Sequence, residues 1–246
     1  MEKQKFLNTY VNNITMEEAI NEIEQKIINK EKSYVVAINV DVVMKMEDDL
    51  LLREISDKAD LTVVDGKPLI WISKIKKNPI KEKISGSDLV PKLCELANEK
   101  GYSIFIIGGK DGVAEQAKQK LEENYKKIKI VGTYSPDLGF ESDEKELKNI
   151  NSIISKAKPD LLFVCFGCPK QEKWIYNNID KYNAKVSICA GATVDFLAGN
   201  VKRAPKWMSN CGLEWFYRFL QEPKRLFKRY FIDDMKIIRL IFKYKK

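Results

Sequence analysis

Along this chain the spacing of apolar side chains switches between two periods. From about residue 15 to residue 190, short continuous apolar runs take turns with longer stretches in which apolar positions recur every three or four residues. Thr15, Met16, Glu17 and Glu18 have the spacing of a capping box and predict a helix to about residue 29. Strand-like runs follow at 34–39, 61–64, 102–107, 128–133, 160–166 and 185–189. Between them the pattern predicts helices at 41–58, from Pro68 through Trp71, at 87–100, from the glycine turn at 108–112 to near Tyr125, at 143–158 and at 170–182. Ser87 or Asp88 is the expected cap of the helix at 87–100. This alternation predicts an α/β fold, a mostly parallel Rossmann-like sheet with helices on both faces. Ligands of such sheets bind beyond the carboxyl ends of the strands. There the chain puts Asn39 and Asp41, Asp65 and Gly66, Gly108 and Gly109, Gly167, and residues 191–195. From about Val201 the pattern is helical only, with Pro205 and Pro223 at helix starts. The predicted organisation is a core of residues 1–200 and a helical appendage of residues 201–246.

Charge changes the picture of that appendage. It carries thirteen Lys and Arg against four Asp and Glu, a net of +9 in a chain whose total is +8, so the core nets −1. Ten aromatics share the segment, among them Trp215, Phe216, Tyr217, Phe219, Phe227, Tyr230 and Phe231, beside Arg218, Arg225, Lys228 and Arg229. A basic, aromatic helical segment fits a surface that is both anionic and greasy. Nucleic acid is disfavoured, because the aromatics recur at helical spacing and no nucleic-acid motif is present. No apolar run is long enough to span a membrane, and the start of the chain lacks the apolar run of a secretory signal. The five cysteines are odd in number and spread through apolar runs, which suits a reducing cytoplasm. With no histidine in 246 residues, imidazole bases, Ser-His-Asp triads and His-ligated zinc are excluded. Proton transfer then falls to a carboxylate. Cys165 and Cys168 form a C-x-x-C without a second pair, and core packing is the expected role of Cys165.

Several local strings sit where chemistry is expected. Gly108-Gly109-Lys110-Asp111-Gly112 joins a strand to a helix, where backbone N–H groups could cradle a phosphate or merely make a tight turn. Asp65-Gly66 follows its strand directly, so Asp65 is either a helix cap or an exposed carboxylate at the sheet edge. Gly167, at the end of 160–166, lets a ligand approach the backbone, and Gln171 falls in the first turn of the next helix. No two aspartates here stand two apart, so the chain offers no Asp-x-Asp pair for a divalent ion.

Asn39, Asp65-Gly66, Ser85-Gly86-Ser87-Asp88-Leu89, Gly167 to Trp174, Gly191 to Gly199, Gly212-Leu213-Glu214-Trp215 and Glu222-Pro223-Lys224-Arg225 together resemble the WecG/TagA/CpsF family of bacterial glycosyltransferases, over nearly the whole chain. The resemblance implies transfer of a sugar, often N-acetylmannosamine, from a UDP donor to a GlcNAc diphosphate-linked undecaprenol acceptor. The setting would be a wall teichoic acid linkage unit or a related glycopolymer, at the anionic inner face of the cell membrane. It also implies inversion at the anomeric centre and no metal or other cofactor. Asp65 would be the general base, and Asn39 and Gln171 would line the active site. Gly66, Lys83, Gly108, Gly109 and Gly167 would contribute to substrate binding, and Asp195 would lie near the nucleotide. Arg218, Arg225 and Lys228 would complete the site over the diphosphate. The chain departs from the family pattern at Ala37, Pro68 and Lys83. Other donors in the same family, UDP-ManNAcA or a UDP-hexose, remain alternatives, and a homo-oligomer is left open as a partner. A nucleotide-dependent oxidoreductase would need a dinucleotide fingerprint that is absent here, and a non-catalytic membrane adaptor would use only the appendage.

Overall fold

In the computed structural model, which describes residues 2–244, the two alternating periods become a six-stranded parallel sheet covered on both faces. Lys245 and Lys246, the end of the predicted basic appendage, lie outside the described residues. A hairpin of β1 (Gln4–Phe6) and β2 (Thr9–Val11) comes first. The sheet comprises β3 (Ser33–Ile38), β4 (Leu61–Val64), β5 (Ser103–Gly108), β6 (Lys129–Tyr134), β7 (Leu161–Cys165) and β8 (Val186–Cys189), in the order β4-β3-β8-β7-β5-β6. The helices of the first two hundred residues are α1 (Met16–Ile28), α2 (Val40–Asp48), α3 (Leu50–Lys58), α4 (Lys67–Ile75), α5 (Gly86–Lys100), α6 (Val113–Asn124), α7 (Glu144–Ala157), α8 (Lys170–Asn178) and α9 (Thr193–Leu197). Central strands are mostly apolar because both faces are covered, and the buried Ser187 of β8 is met by the Tyr182 hydroxyl at 2.8 Å. In β7, Leu162 and Val164 join one buried layer while Leu161 and Phe163 join the other.

The structure departs from the sequence pattern in several places, among them α9, for which no helix was expected, and α4, which runs on to Ile75. The hairpin has only three residues per strand, too few for a period to register. The helix expected over 41–58 is two helices, because Asp49 leaves helical geometry and its side chain accepts from the Leu52 N–H at 3.0 Å to cap the second. The cap of α5 is Ser85 rather than Ser87 or Asp88, its hydroxyl accepting from the Asp88 N–H at 3.1 Å. The helix expected over 170–182 ends at Asn178, whose side chain turns back to the Trp174 carbonyl at 2.9 Å.

Beyond Val201 the chain is helical as expected: α10 (Lys206–Asn210), α11 (Glu214–Gln221), α12 (Pro223–Lys228) and α13 (Ile237–Lys243). A π-helical turn (Arg229–Asp233) and a 3-10 turn (Asp234–Lys236) separate the last two. Ile237 and Leu240 enter the core layer beneath α2, and Lys243 and the Tyr244 hydroxyl hold Glu47 at 2.6 and 2.8 Å. The aromatics of α11 and α12 pack chiefly on one another, with Phe231 within 5.3 Å (centroid to centroid) of both Phe219 and Phe227. Trp207, Leu220, Phe227, Ile238 and Phe242 stay exposed. No helix among the described residues is long and apolar enough to cross a membrane.

Candidate active site

A cavity of about 350 Å³ opens where the C-terminal segment lies over the carboxyl ends of β3 and β4. Its sheet side is Asn39, Asp65, Gly66 and Lys83. The Asn39 side-chain oxygen accepts from the Val42 N–H at 3.1 Å and so starts α2 at the strand end. Asp65 is held by its own N–H, which donates to the Ile38 carbonyl at 2.7 Å. Gly66 follows with φ +101°, a left-handed turn that sends the chain into α4 directly behind the carboxylate. No side chain caps α4, so the Asp65 carboxylate is not consumed as a cap.

Burial raises the Asp65 carboxyl to about 6; Lys83 opposes the rise, Glu214 and Asp88 add to it, and Arg218 opposes it. Burial wins because Lys83 is shared. Its ammonium lies 2.7 Å from Asp88 and 3.6 Å from Glu214. Burial works against the Lys83 charge, yet those acids hold its pKa above the ordinary value. Asp88 is itself drawn down to about 2, since bonds from Lys83, Ser85 and Arg203 outweigh its burial. The result is a carboxylate poised to take a proton near neutral pH.

The other expected residues divide. Arg218 lines the same cavity, with its guanidinium over the Phe196 ring and its buried Nε without a hydrogen-bond partner. Asp195 belongs to a second charged group, where burial and Glu222 raise its pKa against Lys110, Arg225 and Arg218. Arg225 is paired with Glu222 there. Arg218 acts electrostatically on both Asp65 and Asp195, which links the two groups. Gln171 does not line the cavity. It is 5% exposed, accepts from the Gly167 and Gly191 N–H groups at 3.2 and 3.0 Å, and donates to Glu172 at 2.8 Å. It clamps two strand-end loops together. Gly109 donates its N–H to Cys165 at 3.3 Å, so that amide is already engaged. A Cβ on Gly108 would lie 2.7 Å from the Cys165 carbonyl group, which is why β5 must end in glycine. Lys228 is exposed and lies outside the cavity lining.

The cavity also contains residues that the sequence pattern did not single out for chemistry. Glu214 is anchored by the Ser209 hydroxyl at 2.9 Å. Arg229 and Asp234 line the opposite wall, beside Trp215, Tyr230 and Phe231. Their one visible signal was a lone acidic pair, Asp233-Asp234, inside a strongly basic stretch.

Comparison with known proteins bears directly on this arrangement. The family described as glycosyl transferase WecG/TagA/CpsF matches residues 4–246. The chain belongs to that family. It is 32% identical over 217 residues to the N-acetylglucosaminyldiphosphoundecaprenol N-acetyl-beta-D-mannosaminyltransferase of Bacillus subtilis (strain 168), covering 88% of this chain and 82% of the relative. Proteins of the same name from Bacillus spizizenii (strain ATCC 23059 / NRRL B-14472 / W23) and Staphylococcus aureus (strain MRSA252) are each 28% identical. Those matches cover 84% and 91% of this chain, and 78% and 87% of the relatives. In this WecG/TagA/CpsF glycosyltransferase, the match runs through the C-terminal segment as well as the sheet, so both walls of the cavity fall within the family region.

Proposed function

We propose that the chain is an inverting, metal-independent glycosyltransferase that moves N-acetylmannosamine from UDP-ManNAc to GlcNAc-diphospho-undecaprenol, in making a wall teichoic acid linkage unit or a related glycopolymer. The observation that carries this reading is Asp65, an uncapping carboxylate in the cavity, raised to about 6 by burial. The acceptor hydroxyl gives its proton to Asp65 as its oxygen attacks the anomeric carbon, and UDP departs from the opposite side. One displacement with one base inverts the centre. Negative charge grows on the departing diphosphate, and Arg218, which lines the cavity and acts on both charged groups, is the cation assigned to meet it. The group of Lys110, Asp195 and Arg225 then serves the nucleotide. The names of the three relatives support N-acetylmannosamine as the transferred sugar and a GlcNAc-diphospho-undecaprenol acceptor.

In the same reading residues 201–246 form a distinct appendage that docks on the anionic inner leaflet. Exposed Trp207, Leu220, Phe227 and Phe242 among Lys and Arg side chains support it, since each basic residue near such a surface contributes about 1 kcal/mol. The experiment is turnover of UDP-ManNAc with a GlcNAc diphosphate lipid in the presence of EDTA, read as UDP release and a disaccharide lipid. UDP-ManNAcA, UDP-GlcNAc and UDP-Glc run in parallel as rival donors. Turnover with a rival only would move the donor assignment, and none with any donor would overturn the reading.

A further inference from the structure

Three polar atoms in the cavity wall are buried without a hydrogen-bond partner: Nε of Arg218, Nε of Arg229 and Oδ1 of Asp234. A buried donor or acceptor left unmade costs roughly 1–3 kcal/mol, more when charged, so three cavity-lining side chains with such atoms mark this wall as one that a ligand carrying both acceptors and a donor would suit. Backbone geometry makes two of them a pair. In an α-helix, residues five apart point about 140° from each other. Here the Asp234 N–H donates to the Arg229 carbonyl, the i+5 to i bond of a π turn, and that turn brings both side chains to one cavity. Such turns are uncommon and concentrate at functional sites. Arg229 lies 3.8 Å from Asp234 and 3.6 Å from Asp41, too long for hydrogen bonds, so neither contact satisfies its Nε.

The surroundings select which substrate. Asp65, which takes the proton of the acceptor, lines this cavity, whereas Lys110, Asp195 and Arg225 lie outside its lining. The wall around the pair is Trp215, Tyr230, Phe231, Met235 and Ile237, and Phe231 and Met235 are also exposed at the surface. A nucleoside diphosphate has no use for an apolar wall that leads outward; a diphosphate esterified to a hydrocarbon chain has. We propose that Arg229 and Asp234 form an acceptor-reading clamp, in which Arg229, beside Arg218, binds the acceptor diphosphate and Asp234 accepts a hydrogen bond from a hydroxyl or amide N–H of its sugar. The proposal rests on the functional reading above and adds which residues select the acceptor. Burial also raises the Asp234 carboxyl to about 6 against the pull of Arg229, with Asp41 and Asp233 adding to the rise and Lys45 opposing it. A sugar hydroxyl donor would relieve that burial.

The test uses the full chain with a GlcNAc diphosphate carrying a short alkyl chain as acceptor, and the sugar-free alkyl diphosphate as competitive inhibitor. Arg229→Gln and Asp234→Ala should each raise the acceptor KM about tenfold to a hundredfold, the worth of one charge-assisted hydrogen bond. Donor KM and the UDP-induced rise in Tm should not move. Arg229→Gln should weaken the sugar-free inhibitor and Asp234→Ala should not, while Asp234→Asn should restore part of the acceptor KM. Lys236→Ala, on the exposed next turn, controls for damage to the segment, and Tm controls for folding. A rise in donor KM with acceptor KM unchanged would overturn the clamp, as would no effect of either variant. Wild-type protein that fails to turn over any acceptor would defeat the functional reading instead, and the inhibitor-binding arm would still judge Arg229.

Discussion

The two walls of the cavity are built on opposite principles. On the sheet side the polar groups are bonded to the protein itself: Asn39 caps α2, and Lys83 is paired with Asp88 and Glu214. On the C-terminal side Arg218, Arg229 and Asp234 each keep a buried atom without a partner. The first wall is tied internally by hydrogen bonds and ion pairs, and the second leaves groups for the proposed acceptor to meet. Asp65 is the exception on the sheet side, because no hydrogen-bond donor among the described residues engages its carboxylate, and that is the property a base requires.

The largest effect expected from breaking this contrast is at Asp65. Asp65→Asn should lower turnover by about 10²–10⁴ while UDP still raises Tm. It should also stabilise the fold at neutral pH. With its pKa raised from 3.8 to about 6, native Asp65 binds more protons than unfolded Asp65 across that window, so its contribution to stability falls as pH rises through it. A Tm at pH 7.5 below that of wild type would contradict this. Wild-type kcat/KM should climb with an apparent pKa near 6, and a flat profile from pH 5 to 8 would remove Asp65 from the base role. Next is Arg218→Ala, expected to reduce kcat by about 10²–10³, as loss of one preorganised donor at developing charge does. Unchanged kcat with a raised KM would make Arg218 a binding residue only.

Gln171→Leu probes the strand-end loops behind the cavity. It strands two N–H groups and one carboxylate oxygen, so a stability loss of about 1–3 kcal/mol should accompany any loss of turnover. Reduced turnover with full stability would place Gln171 in the chemistry. The smallest effect is expected for Glu214→Gln. Glu214 adds to the raised pKa of Asp65, so its neutral substitute should move the acidic limb of the rate profile to lower pH. A limb that stays in place would show that Glu214 does not set the poise of the base.

Much of the sheet side was legible in advance. Strand ends carrying Asn39, Asp65 and Gly108 follow from a period that any window of the chain displays, and the Thr15 capping box is present as written. Asp65 could be read as a cap or as a free carboxylate from its neighbours alone, and only the fold decided between them. Gln171 lay in the expected helix turn, yet its partner Gly191 is twenty residues away. Lys228 and Arg229 are equivalent charges in the chain, and only the π turn distinguishes the exposed one from the one in the cavity.

By itself the sequence determined the parallel α/β core, the absence of histidine chemistry and the concentration of positive charge after Val201, because composition and periodicity are local properties. The tertiary structure decided the poise of Asp65 and the identity of the residues that close over it. Both depend on contacts between distant parts of the chain, such as Lys83 with Glu214 and Asp41 with Arg229, and on burial that no window of sequence contains.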